Sequence, residues 1–266
     1  MSQLLRHFRL REHPFGRTTP KEAVSMHRGF REGLDRLRYT VELAAIAALI
    51  AEPGCGKSLL LGQLADELQS QGWVVHYFAH ATIGPFGLIN VLARKVGIPP
   101  RRSRGETASE ILTSLLADQR KHLLVVDEAH QMPDATLEDL RLLTIADFDR
   151  KSPFILLIAG QPTLDDRLAE PTHHALDQRI TTFARLLPLS LDETTEYLRH
   201  RLDAVGAKGQ PIFEPGAIDK LFDASAGIPR RINTLATGAL IVAAARGRQL
   251  VSAQDVEDAK LDRGRS

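Results

Sequence analysis

Ile46-Ala-Ala-Leu-Ile-Ala-Glu-Pro-Gly-Cys-Gly-Lys-Ser-Leu-Leu-Leu61 reads as a strand, a glycine loop and the start of a helix. The aliphatic run ends at Ala51, Gly54 and Gly56 let the backbone wrap back on itself, and Lys57-Ser58 open an amphipathic helix through Leu59, Leu60, Leu64 and Leu68. Such a loop is a phosphate cradle: successive N–H groups point inward at an anion, and the helix N-terminus adds its partial positive charge. The nucleotide-contacting stretch is therefore Glu52, Pro53, Gly54, Cys55, Gly56, Lys57, Ser58 and Leu59. Lys57 reaches the β and γ phosphates and the Ser58 hydroxyl ligates Mg²⁺. Ala51 stands where the first glycine of G-x-x-x-x-G-K-[ST] is expected, and with a negative φ alanine costs little there. A plain glycine turn between packed elements is the competing reading, which Gly-Lys-Ser after an apolar strand opposes.

Working outward, 266 residues suffice for a full core, either one large α/β domain or a nucleotide domain with an appendage. A formal net charge of +1 means that affinity for nucleic acid has to come from a local basic patch. The single cysteine, Cys55, excludes an internal disulfide and suits a reducing cytoplasm; its place in the loop asks for a small residue, though a thiol at a helix N-terminus can ionise more readily. The longest apolar runs, Leu43 to Ala51 and Ala239 to Ala245, are too short to span a bilayer, and no signal peptide is visible. These features predict a cytoplasmic protein without its own membrane anchor.

Before the loop, Phe8 to Pro20 forms a proline-broken apolar hook around His13-Pro14-Phe15-Gly16, and a helix is expected from His27 to Leu43. After it, strands are expected at Trp73 to Phe78, His122 to Val126, Phe154 to Ala159 and Phe183 to Leu189. Helices fall at Phe86 to Val96, from about Thr107, and over 136–147. Five strands alternating with helices predict a parallel α/β sheet. From Asp192 onward the pattern is helix, turn and helix again, a separate small helical domain. The expected division is 1–45 hook and helix, 46–190 nucleotide-binding α/β domain, and 191–266 helical lid.

Asp127 and Glu128 follow Leu123 to Val126, so both carboxylates lie at the carboxyl end of a buried strand, where open α/β sheets bind ligands. Asp127 is placed to hold Mg²⁺ through its water shell and Glu128 to polarise an attacking water. Two solvated acids at a loop start are the plainer alternative, and pairing with the Gly-Lys-Ser loop argues against it. Ala129-His130 completes a helicase-like Asp-Glu-Ala-His, but 266 residues leave no room for a second motor domain. Gln161 has an amide able to touch the γ-phosphate or the water; the other reading is a turn residue before Pro162. Arg179, immediately before the fifth strand, projects from the rim and suits a neighbouring subunit's nucleotide. Arg230 and Arg231 begin a helix after Gly227-Ile-Pro229, either as a solvated start or with one folding over the phosphates. Arg101, Arg102 and Arg104 form the most concentrated cationic loop, read as a solvated linker or as a contact to a nucleic-acid backbone. His173-His174 has no metal-ligand spacing.

With Ala51 to Ser58, Leu123 to His130, Gln161, Arg179 and Gly227-Ile-Pro-Arg230 in this order, the chain resembles the AAA+ ATPases. That resemblance implies a P-loop NTPase with a five-stranded parallel sheet and an all-helical lid. His13-Pro14-Phe15, Gly160-Gln-Pro162, Gln178-Arg-Ile180 and Gly227-Ile-Pro-Arg-Arg-Ile-Asn233 look most like the ExeA-type group, to which the transposition regulators TnsC, TniB and MuB are similar. The resemblance implies ATP and Mg²⁺, with Lys57 and Ser58 as the Walker A pair, Asp127 and Glu128 as Walker B, Gln161 as sensor 1, Arg179 as the arginine finger and Arg230 as sensor 2. It also implies a homo-oligomer, a hexameric ring or helical filament with ATP between subunits. In the transposition regulators the filament winds on duplex DNA through loops after the second strand, near Arg101 to Arg104. ExeA resembles a secretion ATPase with a transmembrane segment and a cell-wall-binding region after its motor, whereas this chain stops at Ser266. The expected function is therefore an ATP-dependent regulator that oligomerises on duplex DNA and recruits a transposase. The alternatives are a secretion or envelope-assembly ATPase acting on protein partners and an ATP-gated scaffold.

Overall fold

The computed structural model describes residues 3–16, 27–79, 84–145 and 152–262. The chain begins with α1 (Gln3–His7) and α2 (Arg28–Glu42). It continues through β1 (Ile46–Ala51), α3 (Lys57–Ser70), β2 (Val74–Phe78), α4 (Pro85–Lys95), α5 (Arg104–Ala117) and β3 (His122–Val126). Next come α6 (Asp134–Leu143), β4 (Ile155–Gly160), α7 (Pro162–Leu168), α8 (His174–Asp177) and β5 (Ile180–Leu186). Four helices complete it: α9 (Leu191–Ala204), α10 (Pro215–Ser225), α11 (Pro229–Ala245) and α12 (Ala253–Leu261).

The five strands form one parallel sheet in the order β2-β3-β4-β1-β5. β1, β3 and β4 are buried at every position, as continuous aliphatic strands covered on both faces must be. Pairing of Val126 with Ile158 and of Ile50 with Gly160 brings the carboxyl ends of β1, β3 and β4 level. Ala51, Asp127 and Gln161 therefore emerge at one edge of the sheet. β5 starts earlier than expected, at Ile180, because it is an edge strand that alternates: Ile180, Thr182, Ala184 and Leu186 face inward. The apolar run beyond it, Leu187 to Leu189, is interrupted by Pro188, which cannot donate to a ladder. Gly33 lets α2 lie close to the sheet, since a Cβ there would stand 3.1 Å from Leu60 and 3.2 Å from Leu186.

The chain divides differently from the sequence-based boundaries. Residues 29–186 make one unit, and residues 1–28 join 187–266 in the other. The reason is burial. Leu5, Phe8, Leu10 and Phe15 share a core with Leu198, Leu202, Phe213, Leu221, Ile232 and Leu240. At about 1.5–3 kcal/mol for each large apolar side chain, this docking outweighs the short local helix α1. The expected hook is thus a packed part of the helical unit: the Pro14 carbonyl accepts from Arg201 Nε at 2.8 Å, and Phe15 meets Phe213 edge-on. Residues 17–20 of that hook, and residues 146–147 of the helix expected over 136–147, lie outside the described residues.

Candidate functional site

The loop after β1 has the geometry that its glycines require. Gly54 and Gly56 have φ of 98° and 103°, in the left-handed region where side chains are strained. Ala51 is absent from the positive-φ residues and ends β1 in register with Leu186, so its replacement of the usual glycine distorts nothing. The Cys55 N–H donates to the Glu52 carbonyl at 3.2 Å, closing the turn over Pro53 and Gly54. Gly56 is the N-cap of α3 and offers no side chain to its first turn, so the N–H groups around Lys57, Ser58 and Leu59 are left for an anion.

Lys57 is only 7% exposed, and its ammonium lies 3.0 Å from Glu128 Oε1. Ser58 Oγ donates to Asp127 Oδ2 at 3.3 Å, and the Glu128 N–H donates to Asp127 Oδ1 at 2.9 Å. The turn after β3 holds Glu128 in the left-handed region, φ 56°, an uncommon place for a residue with a side chain. Burial works against ionisation of Glu128. Lys57 beside it, with His130 and the Gln161 amide, outweighs burial and holds the carboxyl below the usual range.

Sequence reasoning missed Tyr77. From β2, its hydroxyl donates to Asp127 Oδ2 at 2.9 Å, and burial together with that carboxylate pushes the phenol up to about 12. Tyr77 stays protonated and serves as a fixed donor. The only sequence signal was the pairing of β2 with β3, which sets Tyr77 opposite Val125, two residues before Asp127.

The remaining expected residues are distributed more widely. Gln161 caps α7, and its main-chain N–H donates to His130 Nδ1 at 3.4 Å. Arg179 is half-buried just before β5, beside the start of β1 where Ile46 pairs with Ile180. The cradle follows the other end of β1, six residues on; at about 3.3 Å per residue that is roughly 20 Å, beyond an arginine's reach. Arg230 lies exposed in the first turn of α11, in the helical unit.

The arginine loop is largely engaged within the fold. Ser103 caps α5 by accepting from the Glu106 N–H, so the helix starts at Arg104 and not near Thr107. Arg101 forks onto both oxygens of Glu110 at 2.8 and 3.0 Å, and Arg104 lies 3.3 Å from Asp139. Arg102 is exposed. His173 contacts Asp134 at 3.0 Å, which gives that histidine a structural partner.

Residues 41–168 match the family model described as "AAA domain". Over that stretch, just under half of the chain, it is similar to an AAA domain. The fold is similar to that of Cdc6p from Pyrobaculum aerophilum, which superposes with a TM-score of 0.71, covering 94% of this chain and 70% of that one at 19% identity. The ORC1 protein of Aeropyrum pernix, solved in complex with DNA, gives a TM-score of 0.62 over 89% of this chain and 65% of its own, also at 19% identity. At such identity the likeness is one of fold. In sequence, the chain is 31% identical to general secretion pathway protein A of Aeromonas hydrophila over 94% of its length, and it spans 46% of that relative. Among the described residues no helix is long and apolar enough to cross a membrane.

Proposed function

We propose that this chain is the ATP-driven switch of a secretion or envelope-assembly system and passes its state to protein partners. The observation that carries this reading is the 31% identity to general secretion pathway protein A. At 94% coverage of this chain, the match runs through the helical unit as well as the AAA domain. The arginine loop adds to it, since Arg101 and Arg104 would each have to leave a carboxylate before meeting a DNA phosphate.

In this reading the phosphates of ATP settle on the N–H groups from Gly54 to Leu59 and draw Lys57 away from Glu128. Glu128, ionised and released, accepts a proton from the attacking water, while Gln161 orients that water or the γ-phosphate. Ser58 and Asp127 are hard oxygen donors 3.3 Å apart at the mouth of the cradle, a pair that fits Mg²⁺ held jointly with the phosphates; the ion would neutralise phosphate charge. Arg179, too far from its own cradle, serves the nucleotide of an adjacent subunit, so the competent species is a homo-oligomer.

The second reading, regulation of DNA transposition on duplex DNA, draws on exposed Arg102 and on the DNA-bound ORC1 relative of the same fold. ATP turnover and filter binding of duplex DNA at two salt concentrations separate the two. The expected result is Mg-dependent turnover that falls about 10²- to 10⁴-fold in Glu128→Gln while ADP still binds. Duplex affinity is expected to be the same with and without a non-hydrolysable ATP analogue. Nucleotide-dependent duplex binding, with a salt slope that drops by about one in Arg102→Ala, would transfer the function to the DNA reading.

A further inference from the structure

Asp-Glu-Ala-His ends in a residue for which none of the steps above has a use. His130 occupies a single 3₁₀ turn, Ala129–Gln131, directly after the two carboxylates. Its ring lies between two parts of the site. Nδ1 accepts from the Gln161 N–H at 3.4 Å, and Nε2 stands 3.7 Å from Glu128 Oε2. A neutral imidazole carries one N–H, so acceptance at Nδ1 puts the proton on Nε2, facing the carboxylate. Burial disfavours the charged ring and lowers its pKa even with Glu128 nearby. On the open side the Gln131 side-chain nitrogen lies 3.4 Å from the same Nε2; with the proton there, that amide bonds the ring only with its oxygen turned inward.

The turn itself is anchored from behind. Arg167 on α7 donates to the His130 carbonyl at 2.7 Å and pairs through its other nitrogen with Asp134, which also meets His173. Gly160 brings the end of β4 against the turn: a Cβ there would stand 3.3 Å from the His130 nitrogen and under 3 Å from Leu164. The imidazole is therefore tied to the same element, the β4 end and the start of α7, that presents Gln161. The two oxygens of Glu128 are shared out, Oε1 to Lys57 and Oε2 to His130.

We propose that His130 is a positioning residue for ATP hydrolysis: its Nε2–H holds the Glu128 carboxylate in line with Gln161, so that the carboxylate stays aimed when Lys57 turns to the phosphates. This rests on the reading of Glu128 as general base. The test is kcat and KM for MgATP, ADP affinity and Tm in the full chain for His130→Ala, His130→Gln and His130→Asn, with Glu128→Gln alongside. His130→Ala is expected to lose about 10- to 100-fold in kcat through misalignment, with KM and ADP affinity within about twofold. Glutamine, whose amide N–H reaches the place of Nε2–H, restores most of the rate. Asparagine, which reproduces only the Nδ1 end, does not. Wild-type kcat in His130→Ala overturns the proposal. So does a loss shared equally by glutamine and asparagine, or one that follows Tm and ADP affinity. Wild-type turnover in Glu128→Gln would instead remove the general-base reading, and the proposal with it.

Discussion

The two units use buried and half-buried polar groups for opposite ends. At the carboxyl edge of the sheet Lys57, Asp127 and Glu128 are held by partners that a ligand can replace: the ammonium by phosphate, the carboxylates by a cation or a water. In the helical unit Arg201, Tyr197 and Asp255 have partners within the protein. Arg201, 5% exposed, donates to the Pro14 carbonyl and lies over the Tyr197 ring, and the Tyr197 hydroxyl donates to Asn233 at 2.7 Å. Asp255, fully buried, caps α12 through Ser252 and is met by Arg246 and Arg248. Glycines follow the same division. Gly54 and Gly56 keep the cradle open, whereas Gly227 admits a carbonyl: at φ 69°, a Cβ there would stand 2.1 Å from the Leu189 oxygen. Motif words that look alike in the sequence thus encode chemistry in one unit and packing in the other.

Three changes would break or sharpen that contrast, from the largest effect down. Under the proposed function, in which Arg179 acts at a neighbour's site, Arg179→Ala should cut ATP turnover by about 10³- to 10⁵-fold and leave ADP affinity alone. Mixing it with the cradle variant Lys57→Ala should restore part of the rate, and a mixture with no activity would return Arg179 to a role in its own subunit. Gly227→Ala should destabilise the helical unit by about 3 kcal/mol or more, as urea unfolding followed by circular dichroism would measure. A neutral result there would mean that the Leu189 segment moves aside freely.

The smallest effect lies at the far edge of the sheet. His76 on β2 and His122 on β3 are buried and share a proton at 3.1 Å, with Asp118 3.4 Å from His122 Nε2. Burial, and then the His122 ring, bring His76 down to about 4, with Lys95 and Arg120 adding to the effect. Burial likewise lowers His122. Above pH 6.5 both rings are neutral folded or unfolded, and pH changes nothing. Below it the unfolded chain takes up protons that the folded one refuses, so stability falls towards pH 4 by up to about 1.4 kcal/mol per pH unit for each proton. Urea midpoints between pH 7.5 and 4.5 should show the fall, and His76→Gln should flatten it.

The α/β order, the five strands and the placing of Asp127 were legible because each depends on neighbours in sequence: period, strand ends and a glycine loop. The start of β5 was not, since an alternating edge strand carries a weaker signal than the apolar run beside it. The partners of the arginine loop were hidden for a related reason. Charge density shows in the sequence, but Glu110 and Asp139, which absorb Arg101 and Arg104, do not announce themselves as partners.

By itself, then, the sequence determined a glycine loop between an apolar strand and a helix, two carboxylates at a strand end and a helical region after a sheet. Tertiary structure alone decided that Glu128 is held by Lys57 and flanked by His130, that Tyr77 secures Asp127 across 50 residues, and that the first residues pack into the helical unit through a contact spanning 187. Local motifs are written in consecutive residues because backbone geometry is local. Side-chain partners are chosen by the folded surface, where separation along the chain adds only a slowly growing loop-closure cost.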